Sequence, residues 1–149
     1  MKKLLLLLMM LVCLASCAKD GGAAEIADPA ALYSAVAGTA SLPEMLALTE
    51  EELLYLMGIE PQWYTAAAAY AAADSTSPVE ILILRAADDA SVGQLKEALE
   101  SRLKLKLESA RLYLTENQSL LRTGVVRVDG LTVSLLVAED MEAVLSVYP

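Results

Sequence analysis

Glu80 is the one carboxylate of this chain set inside an apolar run, Val79-Glu80-Ile81-Leu82-Ile83-Leu84. A carboxyl in an apolar setting has its pKa raised, and with a second acid across a cleft it can cleave a glycosidic bond. The rest of the inventory runs against enzymes. The 149 residues include no histidine, so the usual base near neutral pH and the commonest metal ligand are missing. There is no G-x-S-x-G elbow, no glycine-rich phosphate loop and no zinc motif. Ser101-Arg102-Leu103-Lys104 matches the S-x-x-K of penicillin-binding enzymes, in which lysine activates serine, but their further motifs are missing. Asp88-Asp89 reads as the loop before a helix rather than as calcium ligands, and Glu50-Glu51-Glu52 as a helix start rather than a metal cluster. Neither a metal nor a cofactor is expected.

The two thiols, Cys13 and Cys17, sit in a distinctive segment. Lys2 and Lys3 precede an apolar run from Leu4 to Ala15, and Leu14-Ala15-Ser16-Cys17 closes it. Such a run is too short for a hydrocarbon core that needs about twenty residues, and with its positive start it reads as an export signal. Leu-Ala-Ser-Cys resembles the bacterial lipobox, in which the cysteine thiol receives a diacylglyceryl group and becomes the mature N-terminus. Two acyl chains suffice for stable attachment. The expected organisation is a signal peptide over 1–16, lipidated Cys17 with a flexible tether to residue 27, and a single globular domain over 28–149. The expected location is the extracytoplasmic face of a bacterial membrane, with the membrane reached through lipid on Cys17. With Cys13 removed and Cys17 acylated, no disulfide remains to staple the domain.

The chain carries a net charge of −9, and loss of Lys2 and Lys3 with the leader makes it −11. Nucleic acid and anionic headgroups, both of which require positive patches, are poor partners. The cations are concentrated between Arg85 and Arg127, where solubilising charge on a long helix explains them.

The elements must position whatever the domain binds. Asp28-Pro29 reads as N-cap and first turn of a short helix, and Thr49 to Glu52 as a capping box for a second, stopped by Gly58. Tyr64, Ala66, Ala68 and Tyr70 alternate, favouring a strand over about 64–72, hairpinned through Ser75 to Pro78 onto a central strand at 79–86. From Ser91 to about Leu121, Val92, Leu95, Leu99, Leu103, Leu107, Ala110, Leu114 and Leu121 form one helical stripe, with Ser91 and Gln94 as its capping box. Leu105 and Leu112 lie off that stripe. Lys96–Glu100, Glu100–Lys104 and Lys104–Glu108 have the spacing of surface charge pairs. Asp129-Gly130 reads as a two-residue turn pairing Val128 with Leu131 and Val126 with Val133, one face to the core and one to water. A short helix over 139–147 closes the chain. The expected fold is α+β: a four-stranded, largely antiparallel sheet in β-β-α-β-β-α order, packed by one long helix, with two short N-terminal helices.

Leu42-Pro43-Glu44-Met45, Leu54 to Pro61, Val79 to Asp88 and the Asp129-Gly130 hairpin occur in succession. This series resembles domain of unknown function 4358, a family of small lipoproteins mainly from Gram-positive bacteria, over about Asp28 to Val147. Thr115 stands where the family is expected to show proline. The resemblance implies an envelope location and an α+β domain, and it carries over no catalytic residue.

Trp63, Tyr64, Tyr70 and Tyr113 are the aromatic residues able to stack on a sugar or pack against a partner, although in a chain without phenylalanine they must also fill the core. The leading expectation is a non-catalytic module that binds a protein or another envelope component. The alternatives are a small-ligand or peptide carrier with one small groove, and a hydrolase using carboxylates alone.

Overall fold

The computed structural model describes residues 28–148, so the expected signal peptide, Cys17 and the expected tether lie outside the described residues. Helix α1 (Pro29–Thr39) is capped by the Asp28 carboxylate, which accepts from the Ala30 amide at 3.0 Å. Strand β1 (Met45–Ala47) follows, then α2 (Glu50–Met57). Thr49 and Glu52 form the expected reciprocal box, and Gly58 ends the helix at a φ of 67°, open to glycine without strain. A single 3-10 turn (Pro61–Trp63) leads into β2 (Tyr64–Ala72) and β3 (Glu80–Ala86). The long helix α3 (Asp89–Tyr113), a second 3-10 turn (Thr115–Asn117) and α4 (Gln118–Thr123) precede the hairpin β4 (Val125–Asp129) and β5 (Thr132–Val137), and α5 (Met141–Ser146) closes the fold.

The α+β class holds, but the sheet has five strands in the order β1-β2-β3-β5-β4, every neighbour antiparallel. The added strand, β1, pairs Met45 to Ala47 with Ala72 to Tyr70 at the sheet edge. Both faces are covered. On one, Leu82, Leu84, Leu135 and Val137 meet Leu95 and Leu99 of α3, with Leu53 and Leu121 from α2 and α4. On the other, Ile81, Ile83 and Leu136 meet Leu32 and Val36 of α1 and Val144 of α5. A second face open to water is therefore overturned for the hairpin, since β5 is buried throughout. Tyr148 seals that side: its hydroxyl donates to Ser134 Oγ at 3.1 Å, the Arg127 guanidinium lies 5.0 Å from its ring centroid, and burial pushes its phenol up to about 12.

Three local expectations are corrected. The cap of α3 is Asp88, whose carboxylate accepts from Ser91 N at 2.8 Å and Ser91 Oγ at 2.7 Å, so Ser91 is capped rather than capping. The helix ends at Tyr113, because Leu114 adopts φ −137° and the chain turns; Leu121 keeps its apolar spacing but belongs to α4. The hairpin pairs Asp129 with Thr132 and Val128 with Val133, so Gly130-Leu131 is the turn, with a φ of 58° at Gly130. That register differs by two residues from the expected one, which leaves every side chain on its expected face. Of the three helical charge pairs, Lys96–Glu100 forms, at 2.7 Å.

Gly124 is required by space rather than by backbone, with φ −60°. A Cβ there would lie 3.0 Å from Leu103 Cδ1 and from Val137 Cγ2, and 3.1 Å from the Leu121 carbonyl oxygen. Gly124→Ala is expected to destabilise the fold by about 1–2 kcal/mol through overpacking, read as a lower urea midpoint with an unchanged slope. An unchanged midpoint would show that the α4–β4 corner gives way freely.

Hydrogen bonds from Ser91 hold the Asp88 carboxyl below its ordinary value, and those from Thr49 and Thr76 do the same for Glu52 and Asp74. A carboxylate with a depressed folded-state pKa stabilises fully above its unfolded value, about 4, and loses that contribution as pH falls through the folded one. Thermal stability should therefore decline below about pH 4, and Asp88→Asn should flatten part of that decline. Superimposable pH profiles would argue against the cap.

Candidate functional site

The even-numbered residues of β3 face α3, which turns Glu80 toward the helix at the end of the strand, paired in register with Ala71 on one side and Val137 on the other. Its side chain is 0 % exposed. A carboxylate placed there requires cations, and α3 supplies two, one turn apart. Arg102 donates from Nη2 to Glu80 Oε1 at 2.9 Å and from Nε to Oε2 at 3.3 Å, while Lys106 Nζ lies 3.3 Å from Oε2. The triad carries one positive charge in excess. Desolvation is the largest influence on Lys106 and lowers its pKa; Arg102 lowers it further, against the opposing pull of Glu80.

The triad forms part of the wall of a cleft of about 320 Å³. One wall is the end of β2 and the β2–β3 turn, with Ala72, Asp74 and Val79; the other is α3 and its exit, with Leu105, Ser109 and Leu114. The turn is fixed locally. Asp74 Oδ1 accepts from the Thr76 amide at 2.9 Å and from the Thr76 hydroxyl at 2.8 Å. Asn117 then bridges the walls, its Nδ2 donating to the Thr76 carbonyl at 2.6 Å. The break in the helix at Leu114 thus creates one end of the cleft, and an unbroken helix to Leu121 would not place Asn117 there.

This arrangement suits binding. Both oxygens of Glu80 are held by cations, and the other carboxylate lining the cleft, Asp74, is committed to Thr76. That leaves neither acid poised as an acid/base pair of the kind glycoside cleavage uses. Ser101 and Lys104 lie on the exposed side of α3. Among the described residues, no group of three or more His, Cys, Asp or Glu side chains is placed to hold a metal ion.

The four aromatic residues do not gather into one surface. Trp63 and Tyr64 pack half-buried against the α3-side core. Tyr70 lies on the opposite face, stacked on Tyr33 with centroids 3.7 Å apart and planes 6° from parallel. The cause is a bulge between Tyr64 and Ala66, which breaks the alternation that would have put Tyr64 and Tyr70 on one side. Tyr113 stands alone at the end of α3, 81 % exposed, beside Leu112 at 73 %.

The sequence contained a signal for the triad. Arg102 and Lys106, one turn apart, lie directly beside Leu99, Leu103, Leu107 and Ala110, so two cations flank the buried stripe of α3. An acid in an apolar strand and two cations bordering an apolar helical stripe are mutually explanatory.

No curated protein and no solved structure matches this chain. A family model does, over residues 39–138, a narrower span than the resemblance read from sequence: it takes in the whole sheet with α2, α3 and α4 and leaves α5 and nearly all of α1 outside. Glu80, Arg102 and Lys106 all fall within the matched span, and the chain belongs to the family described as domain of unknown function 4358.

Proposed function

We propose that this protein is a non-catalytic binding module, tethered by lipid on Cys17 to the extracytoplasmic face of a bacterial membrane, that takes a small ligand in the cleft beside Glu80. The observation that carries the ligand reading is the buried Glu80–Arg102–Lys106 triad in the wall of a cleft of about 320 Å³. That volume is at the low end of small-molecule pockets, and the lining mixes apolar Ala72, Leu105 and Leu114 with polar Thr76, Ser109 and Asn117 around the triad. Trp63, Tyr64, Tyr70 and Tyr113 do not gather on one face, which supports the cleft over an aromatic surface as the binding site. The anchor rests on the leader and on Leu14-Ala15-Ser16-Cys17.

Two experiments test the reading. Intact protein from its host should partition into detergent with a mass beginning at acylated Cys17, and Cys17→Ala should move to the aqueous phase; a wild-type protein found in the aqueous phase would overturn the anchor. A thermal-shift screen against metabolites should yield a stabilising compound whose effect disappears in Ser109→Trp, which fills the cleft from an exposed helical position. Stabilisation that persists in Ser109→Trp would place binding elsewhere. A second reading, an envelope protein docking at the end of α3, is favoured by the exposure of Leu112 and Tyr113. It predicts a complex lost in Leu112→Lys and Tyr113→Lys variants and unaffected by Ser109→Trp.

A further inference from the structure

The reading of the cleft as a ligand site leaves the ligand's chemistry open, and resting on that reading we infer that the cleft takes a small organic anion, a carboxylate with an apolar body, whose charged head meets Lys106. Three features point the same way. The first is charge. Glu80 is already held bidentately by Arg102, with the shorter contact at 2.9 Å, and the Lys106 contact at 3.3 Å is longer than the 2.7–2.9 Å of a strong charge-assisted bond. One positive charge is therefore left uncompensated within the triad, and it resides on the looser partner.

The second is donor capacity. An ammonium has three N–H donors, and the only ion pair that Lys106 makes among the described residues is with Glu80. Its side chain is 17 % exposed and lines the cleft, so its remaining donors can address a ligand there. The lowered pKa of Lys106 agrees with this: its charge is under-supported as it stands, and an anion would support it. Asp74, the other acid lining the cleft, is engaged by two hydrogen bonds from Thr76. The third is shape and polarity. Ala72, Leu105 and Leu114 give part of the cleft an apolar lining that can take a short hydrocarbon body, beside the polar Ser75, Ser77, Ser109 and Asn117.

The test compares hexanoate, hexanol and hexylammonium, which share a body and differ in head charge, by calorimetric titration of the full chain in detergent. Hexanoate should bind about tenfold or more tightly than either, the margin expected of a hydrogen bond to a charged group. Lys106→Gln, which leaves the Arg102–Glu80 pair in place, should bring hexanoate down to the level of hexanol, and Lys106→Arg should keep the preference. Far-UV circular dichroism confirms that each variant is folded. Equal binding of hexanoate and hexanol would overturn the anion inference while leaving the cleft as a ligand site, and so would a preference for hexylammonium. A hexanoate preference that survives Lys106→Gln would overturn the role of Lys106. No binding by any of the three would count against the cleft reading itself.

Discussion

Arg102→Met is expected to destabilise the protein by about 3 kcal/mol, because it leaves Glu80 fully buried with Lys106 as its only remaining cation among the described residues. Breaking a buried pair from one side costs about 3–5 kcal/mol, and this case falls at the low end because Lys106 still balances the charge of Glu80 and the Arg102 side chain is 24 % exposed. Methionine retains most of the aliphatic packing, so the loss reports on charge rather than on volume. Replacing all three residues, as Glu80→Leu, Arg102→Met and Lys106→Met, should return stability to within about 1 kcal/mol of wild type or above it, since apolar substitutes of similar size often match a buried ion cluster. Urea denaturation of the single and triple variants measures both. Loss in the first and recovery in the second would mean that the fold does not need the triad, leaving the cleft as the reason for it. If Arg102→Met unfolds within about 0.5 kcal/mol of wild type, Glu80 has found water or another partner and the geometry is wrong.

Leu82→Ala should cost about 3–4 kcal/mol. Leu82 lies in the middle of β3, between Ala69 of β2 and Leu135 of β5, and is 0 % exposed within the core that α3 covers. Strands on both sides hold the backbone there, so the cavity cannot close by local collapse. Against a total stability of order 5–15 kcal/mol, this is a large fraction. Ile83→Val on the opposite face should cost only about 0.5–1.5 kcal/mol. If the two cores unfold as one unit, Trp63 fluorescence and far-UV circular dichroism will give coincident transitions in both variants. Divergent transitions would show that the α1–α5 layer melts separately.

The parts of this fold that sequence made legible are those with a local cause. Thr49 with Glu52, Gly58 and the alternation of Val126, Val128, Val133 and Leu135 each write their structure within a few residues. What was not legible depends on distant partners. Strand β1 is three residues long, too short for a pattern, and exists because Tyr70 to Ala72 offer it a backbone edge. The apolar stripe of α3 continues in spacing through Leu121 although the helix stops at Tyr113, so periodicity alone could not find the turn that makes the end of the cleft. Glu80 stood out in its strand, but its cations lie on another element, with Arg102 twenty-two positions away. They sit among charges that read as an ordinary solvated face. The bulge that puts Tyr64 and Tyr70 on opposite faces has no marker in an alanine-rich strand.

Native mass spectrometry of the protein extracted from its host in mild detergent tests most directly whether the cleft beside Glu80 holds the proposed small ligand in the cell. Wild type should carry a small-molecule adduct that is missing from Ser109→Trp prepared in the same way. Bare protein mass in both preparations, or an adduct that persists when the cleft is filled, would contradict that proposal.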